Sequence, residues 1–257
     1  MSRVGIVACQ VLERELAYLL NMNDDINVVS LRRTDQNRRF SNMLENKEIV
    51  YVNDPCFLRI NCPGTEVHVE IMPAALHTDL QELEVQCHEM VDLIKQNCNS
   101  ILLFFGLCGN ALKSVFYRED ARIVPISDEN GNLVDDCIVA SLGKEQYMDN
   151  LRKTGSFFLT RGWIEHWDSI VQKLEGPKRE IHFKKMLEMN DYKRMLYICQ
   201  GNLDSSESIG ASKTLSSDMD LPLISANGRM DLFSTALSNA IKSSKERRIY
   251  KAKGSST

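Results

Sequence analysis

No stretch of this 257-residue chain carries the ~20 consecutive apolar residues that a bilayer-spanning helix needs. The opening "MSRVGIVACQ" runs straight into a strand pattern, with no separate signal-peptide region before it. These two absences point to a soluble cytoplasmic protein with no membrane role. An excess of positive charge is also missing. Lysine and arginine number 31 against 35 acidic residues, a net charge of −4, so a general attraction to nucleic acid or anionic membrane is not expected. The eight cysteines contain no CxxC pair, which removes the local signature of a zinc ribbon, a two-cluster ferredoxin or a thioredoxin motif. They are too sparse for a disulfide scaffold, and a reducing cytosol keeps them as thiols. There is no internal repeat and no clear linker, so residues 1–257 read as a single α/β domain.

The patterns that are present alternate between strand and helix. "RVGIVAC" (3–9) is β-branched and apolar, and in "QVLERELAYLLN" Val11, Leu12, Leu16, Leu19 and Leu20 recur at helical spacing. Further strands are expected at 26–31, 67–73, 101–105, 121–127, 194–200 and 221–225. Helices are expected at 78–97, 144–154, 164–174, 179–189 and from Arg229 onward. Residues 32–65 are polar and irregular and read as a surface excursion; the tail from about 246 to 257 reads as frayed. Such alternation implies an α/β fold: a mainly parallel sheet with flanking helices, Rossmann-like, with a smaller C-terminal half of the same type.

Three cysteines share one address in this scheme. Cys9 ends the first strand and opens a helix. Cys108 sits in the glycine turn of "ILLFFGLCGNAL", directly after a strand, and Cys137 follows the strand 121–127 and its turn. The carboxyl ends of parallel strands meet at one sheet edge, where ligands bind, so distant residues can converge there. Helix N-termini favour thiolate, the form that ligates metal or attacks carbon. Gly106 and Gly109, with Asn110 beside them, would leave clearance for a bound group. His77 in "PAALHTDL" has the same address as the cysteines and is the candidate fourth ligand or acid/base partner. Cys87, Cys98 and Cys199 lie inside apolar patterns and read as core thiols. Cys56 and Cys62 carry no assignment, and His166, between Trp163 and Trp167, suits packing as well as catalysis.

The blocks "ACQVLERELAYLL", "LHTDLQELEVQCHEMVD", "ILLFFGLCGNAL" and "DDCIVASLGKEQYMDNLRKTGSFFLTRGWIEH" resemble those of the domain of unknown function 1638 family, from about residue 4 to about 245. The resemblance matches Cys9 and Glu15 in the first block, His77 at the head of the long helix, Gly106–Asn110 in the turn, Asp136 and Cys137 in an acidic-Cys pair, and Phe158–Trp163 in the last. Two departures stand out: segment 32–65 is longer than expected, and Asp135 occupies a histidine-like position. The resemblance implies an anaerobic or methanogenic setting beside corrinoid methyl-transfer systems, and hence one-carbon or cofactor chemistry.

Three thiolates with one imidazole suit zinc, with an open position for a thiol or water substrate. The same cysteines could hold a [4Fe–4S] cluster with one open iron. Glu15 reads as a proton acceptor or as part of a solvated helix face, and Asp136 as a proton acceptor or a partner of the ligands. The expected partner is a small-molecule substrate. A non-catalytic companion of a corrinoid protein or methyltransferase is the alternative from another class. A single-cysteine nucleophile fits less well, because three such thiols are redundant for one attack.

Overall fold

The structure, a computed structural model, describes residues 2–53, 64–153, 155–175 and 179–246. In chain order the first half comprises β1 (Ser2–Cys9), α1 (Glu13–Asn21), β2 (Ile26–Arg32), α2 (Asp35–Ser41), β3 (Glu48–Val52), β4 (Thr65–Met72), α3 (Leu80–Ile94), β5 (Ser100–Phe104), α4 (Lys113–Phe116), β6 (Ile123–Pro125) and α5 (Cys137–Leu142). The second half comprises α6 (Lys144–Lys153), β7 (Ser156–Leu159), α7 (Arg161–Glu165), α8 (Trp167–Glu175), α9 (Arg179–Met189), β8 (Arg194–Cys199), α10 (Ser206–Asp218), β9 (Leu223–Asn227) and α11 (Asp231–Lys245). Among the described residues no helix is long and apolar enough to cross a membrane.

Six strands form one all-parallel sheet in the order β3-β2-β4-β1-β5-β6, and three form a second parallel sheet, β7-β8-β9. The fold is therefore Rossmann-like, with a smaller C-terminal half of the same type. The central strands are covered on both faces, which is why β5 is buried along its whole length and continuously apolar from Ile101 to Phe104. α11 packs on β1 and β5 beside α1, with Phe233 against Phe104 at 5.2 Å between ring centres.

β4 alternates polar and apolar residues, yet all of it is buried. Its polar side is neutralised in place. Arg3 binds Glu66 at 2.8 Å, Arg32 binds Glu70 at 2.7 Å, and His68 bridges Ser30 at 3.0 Å and Glu70 at 2.9 Å. Period-2 alternation here marks a chain of paired charges between strands, not a solvated face.

The described part of segment 32–65 is more regular than its composition implies. It contains α2, capped by the Thr34 hydroxyl accepting from Asn37 N, and β3, the half-buried edge strand of the large sheet. Cys56 and Cys62, and the tail beyond Glu246, lie outside the described residues.

The crossover from β1 runs towards β2, whereas the crossover from β4 runs the other way, past β1 to β5. Right-handed connections then send α1 and α3 to opposite faces, and a crevice opens between the ends of β1 and β4. The second sheet closes over that edge. Val11 carbonyl oxygen, after β1, would lie 1.8 Å from a Cβ on Gly162, after β7, so only glycine allows this approach. Residues 201–203, after β8, pack on α1, and Arg229 N, after β9, donates to Ser141 O of α5 at 2.8 Å. The carboxyl edges of the two sheets thus face each other.

Candidate thiol–imidazole site

Cys9 and Met72 are paired neighbours at the ends of β1 and β4. Beyond Cys9 the chain makes a 3-10 turn, Gln10–Leu12, whose Val11 N donates to the Cys9 Sγ at 3.3 Å. Beyond Met72 a second 3-10 helix, Ala74–Thr78, presents His77. The two turns are joined by Ala74 N donating to Gln10 Oε1 at 3.1 Å, and they bring Cys9 Sγ to 2.9 Å from His77 Nε2. A thiol–imidazole pair therefore occupies the crevice that the topology opens. Burial of the His77 ring lowers its pKa to about 4, so the imidazole is neutral at pH 7, with a ring nitrogen free of a proton and able to accept a hydrogen bond or ligate a cation.

Cys108 and Cys137 arrive from the other side of β1. Leu107 N donates to Val134 O at 2.9 Å, and a Cβ on Gly106 would lie 2.4 Å from Asp136 Cα. Gly106 is thus the contact that seats the turn after β5 against the loop entering α5. Within that turn Cys108, Gly109 and Asn110 all have positive φ, at 47°, 67° and 69°. Left-handed backbone at a buried cysteine is held only where its surroundings over-determine it. Cys137 is the first residue of α5, whose N-cap, Asp136, accepts from Val139 N at 2.8 Å.

The thiols sense one another. Burial pushes the Cys108 pKa up to about 12, with the Asp136 charge adding to it. Burial raises Cys9 well above the usual thiol value, and the Cys108 charge raises it further. Burial does the same for Cys137, followed by the charges of Asp136, Cys9, Cys108 and Glu15. Cys87, on the buried side of α3, is raised by burial and by Cys108, and so borders the group. Among the described residues no three His, Cys, Asp or Glu side chains stand in an arrangement that would hold a metal ion.

Glu15 is 2% exposed, and its Oε2 has no hydrogen-bond partner. Desolvation lifts its pKa to about 7, and the charges of Asp204 and Glu165 act in the same direction. It is a buried carboxyl and not part of a solvated helix face.

A family model described as "Protein of unknown function (DUF1638)" matches residues 71–237, more than half of the chain. The chain belongs to this family. No curated protein and no solved structure gives a significant match.

The segment matched to DUF1638 includes His77, Cys87, Cys108, Asp136 and Cys137, while Cys9 and Glu15 precede it. The structure brings Cys9 and His77 into contact and Cys108 and Cys137 within electrostatic reach of Cys9. Asp136 serves as a helix cap, hydrogen-bonded also to Tyr147. Asn110 is exposed. His166 binds Glu13 at 2.9 Å and lies outside the thiol group.

Two further polar residues were not legible as site residues. Gln200, at the end of β8, is 7% exposed, and neither Oε1 nor Nε2 has a partner. Its side chain fills the space that a Cβ on Gly228 would take, with Oε1 at 2.7 Å. Ser141 Oγ is also buried and unpartnered, four residues after Cys137 and hence on the same helix face. The Gly228–Arg229 loop touches both, linking Gln200 to Ser141 and so to Cys137. A strand-end position with glycine opposite was the available signal for Gln200.

Proposed function

We propose that the chain is a metal-binding protein whose centre forms when Cys9, Cys108 and Cys137, which do not stand in a ligating arrangement in this structure, close on the ion, with His77 or a substrate atom completing the set. The observation that carries this reading is the Cys9–His77 contact of 2.9 Å at the crevice between β1 and β4, with the Cys108 and Cys137 loops locked together beside it. Buried thiols that raise one another's pKa form a costly group when deprotonated together, and a cation converts their repulsion into attraction. A neutral imidazole needs no deprotonation before ligation.

Zinc suits three thiolates and an imidazole, and a zinc ion with an exchangeable position would activate a thiol or water substrate. Glu15 Oε2, desolvated and near pKa 7, would take that substrate's proton. A [4Fe–4S] cluster on the same cysteines is the alternative cofactor. Methyl-transfer or other one-carbon chemistry is supported by the family resemblance, as is a non-catalytic role beside a corrinoid protein.

Metal analysis and absorption spectra of anaerobically purified protein test the centre. Stoichiometric zinc in colourless protein rejects the cluster, and iron with acid-labile sulfide rejects zinc. Cys9→Ser, Cys108→Ser and Cys137→Ser are each expected to lose metal. Full metal content in any one removes that residue from the centre.

A further inference from the structure

A second polar assembly stands beside the thiols, built from three helices. Glu165 of α7 gathers Arg14 of α1, Arg39 of α2 and Arg161 of its own helix. Arg14 Nε and Arg161 Nε each donate to Glu165 Oε1 at 2.7 Å, while Arg14 Nε also reaches Oε2 at 2.8 Å. Arg39 Nη2 donates to Glu165 Oε2 at 2.8 Å, and Arg39 Nε to Glu13 Oε1 at 2.7 Å. Arg161 Nη1 donates to Leu203 O. Glu165 is therefore saturated as an acceptor. Among the described residues, Nη1 and Nη2 of Arg14, Nη1 of Arg39 and Nη2 of Arg161 have no hydrogen-bond partner.

These guanidinium groups line a cleft of about 370 Å³, with Glu165, Glu207 and Ser208 also on its walls. Three positive charges face two carboxylates there. Glu13, the further carboxylate behind Arg39, is shared with His166. The cleft adjoins the thiol site. Arg14 and Glu15 are consecutive, the Glu165 charge acts on Glu15, and Gly162 of α7 rests on Val11, two residues from Cys9.

We propose that this cleft binds the phosphate group of a small phosphorylated ligand. A single planar carboxylate matches one guanidinium fork, whereas guanidinium groups held on three helices and approaching from different sides match a tetrahedral dianion. Glu165 acts as the positioning residue that holds them convergent. The ligand's other end would lie towards Glu15 and the cysteines; that orientation rests on the thiol-site reading, whereas phosphate binding does not.

Calorimetric titration with inorganic phosphate, with malonate and with chloride, all at one ionic strength, tests the proposal. Saturable phosphate binding is expected, with malonate and chloride weaker. Arg14→Gln and Arg39→Gln are each expected to weaken phosphate binding by about tenfold or more, the loss of one charge-assisted contact. Arg39 is the more exposed of the two, and unfolding curves for both variants establish that they fold. No saturation with phosphate, malonate binding as tightly, or unchanged affinity in both folded variants overturns the proposal. Metal content measured on the same preparations reports the thiol site separately: its loss from Cys9→Ser with phosphate affinity intact separates the two sites.

Discussion

Replacing Glu15 by glutamine should make the metal-free protein more stable, and more so as pH rises. In the fold the Glu15 carboxyl is desolvated and its pKa is near 7, against an ordinary value of 4.5. Between those two values the folded chain holds a proton that the unfolded chain has released. The stability linked to Glu15 is therefore fully present below about pH 4.5, and it is lost as pH rises through 7. The difference of about 2.5 pH units, at 1.36 kcal/mol per unit, gives a total of about 3 kcal/mol. Glutamine stays neutral and fills nearly the same space, so the variant escapes this loss.

The assay is urea unfolding of wild type and Glu15→Gln, chelator-treated and reduced, at intervals from pH 5 to pH 8.5. Other buried groups titrate in both proteins, and the difference between the two curves isolates Glu15. That difference should grow towards about 3 kcal/mol at the alkaline end, with an unchanged urea dependence. A difference that does not vary with pH would show that Glu15 keeps an ordinary pKa. A variant that becomes relatively weaker at high pH would show a carboxylate paired with a cation, and the desolvation argument would fail.

Gly162→Ala should destabilise the protein by about 3 kcal/mol, the upper end for overpacking, because its Cβ would lie 1.8 Å from the Val11 carbonyl oxygen and backbone must move. An unchanged urea midpoint would mean that the two sheet edges are not held together there. Gln200→Met removes a buried amide with no partner at either atom while keeping its volume, and should raise stability by about 1–2 kcal/mol. A loss of stability in thermal and urea unfolding would show that the amide makes bonds that its surroundings here do not display.

Legibility in the sequence followed burial. The strands 3–9, 101–105 and 194–200 are apolar because they are central, and their patterns locate β1, β5 and β8. The edge strand β3 is half-buried, so its pattern is diluted by polar residues, and with α2 it dissolves into an irregular stretch. α10 escapes for a different reason: Ser208, Ser212 and Ser216 occupy much of its buried side, leaving little apolar periodicity to read. At the site, convergence of Cys9 and His77 was legible because strand ends share an edge whatever their spacing. The burial of Glu15 was not, since it depends on the second sheet covering α1. The proximity of Cys87 was not either: one thiol on an apolar helix face looks the same whether it packs against leucine or against another thiol.

Several features that local rules disfavour lie at the place where the sheets meet. Glu15 Oε2, Ser141 Oγ and both amide atoms of Gln200 are buried without partners. Cys108 holds a left-handed backbone, and Cys9 and Cys137 add two more desolvated thiols. Within the large sheet Glu70 is paired with both Arg32 and His68, whereas Glu66 Oε1 and Thr65 Oγ1 on the same strand are buried without partners. The unpaired groups at the facing strand ends are ones that a ligand entering there can pair with. The features at this place come from β1, β5, β6 and β8 together, which means that neither sheet alone would assemble them. The Gly162–Val11 contact, which fixes one edge against the other, is for that reason as much a part of the site as the cysteines it brings under cover.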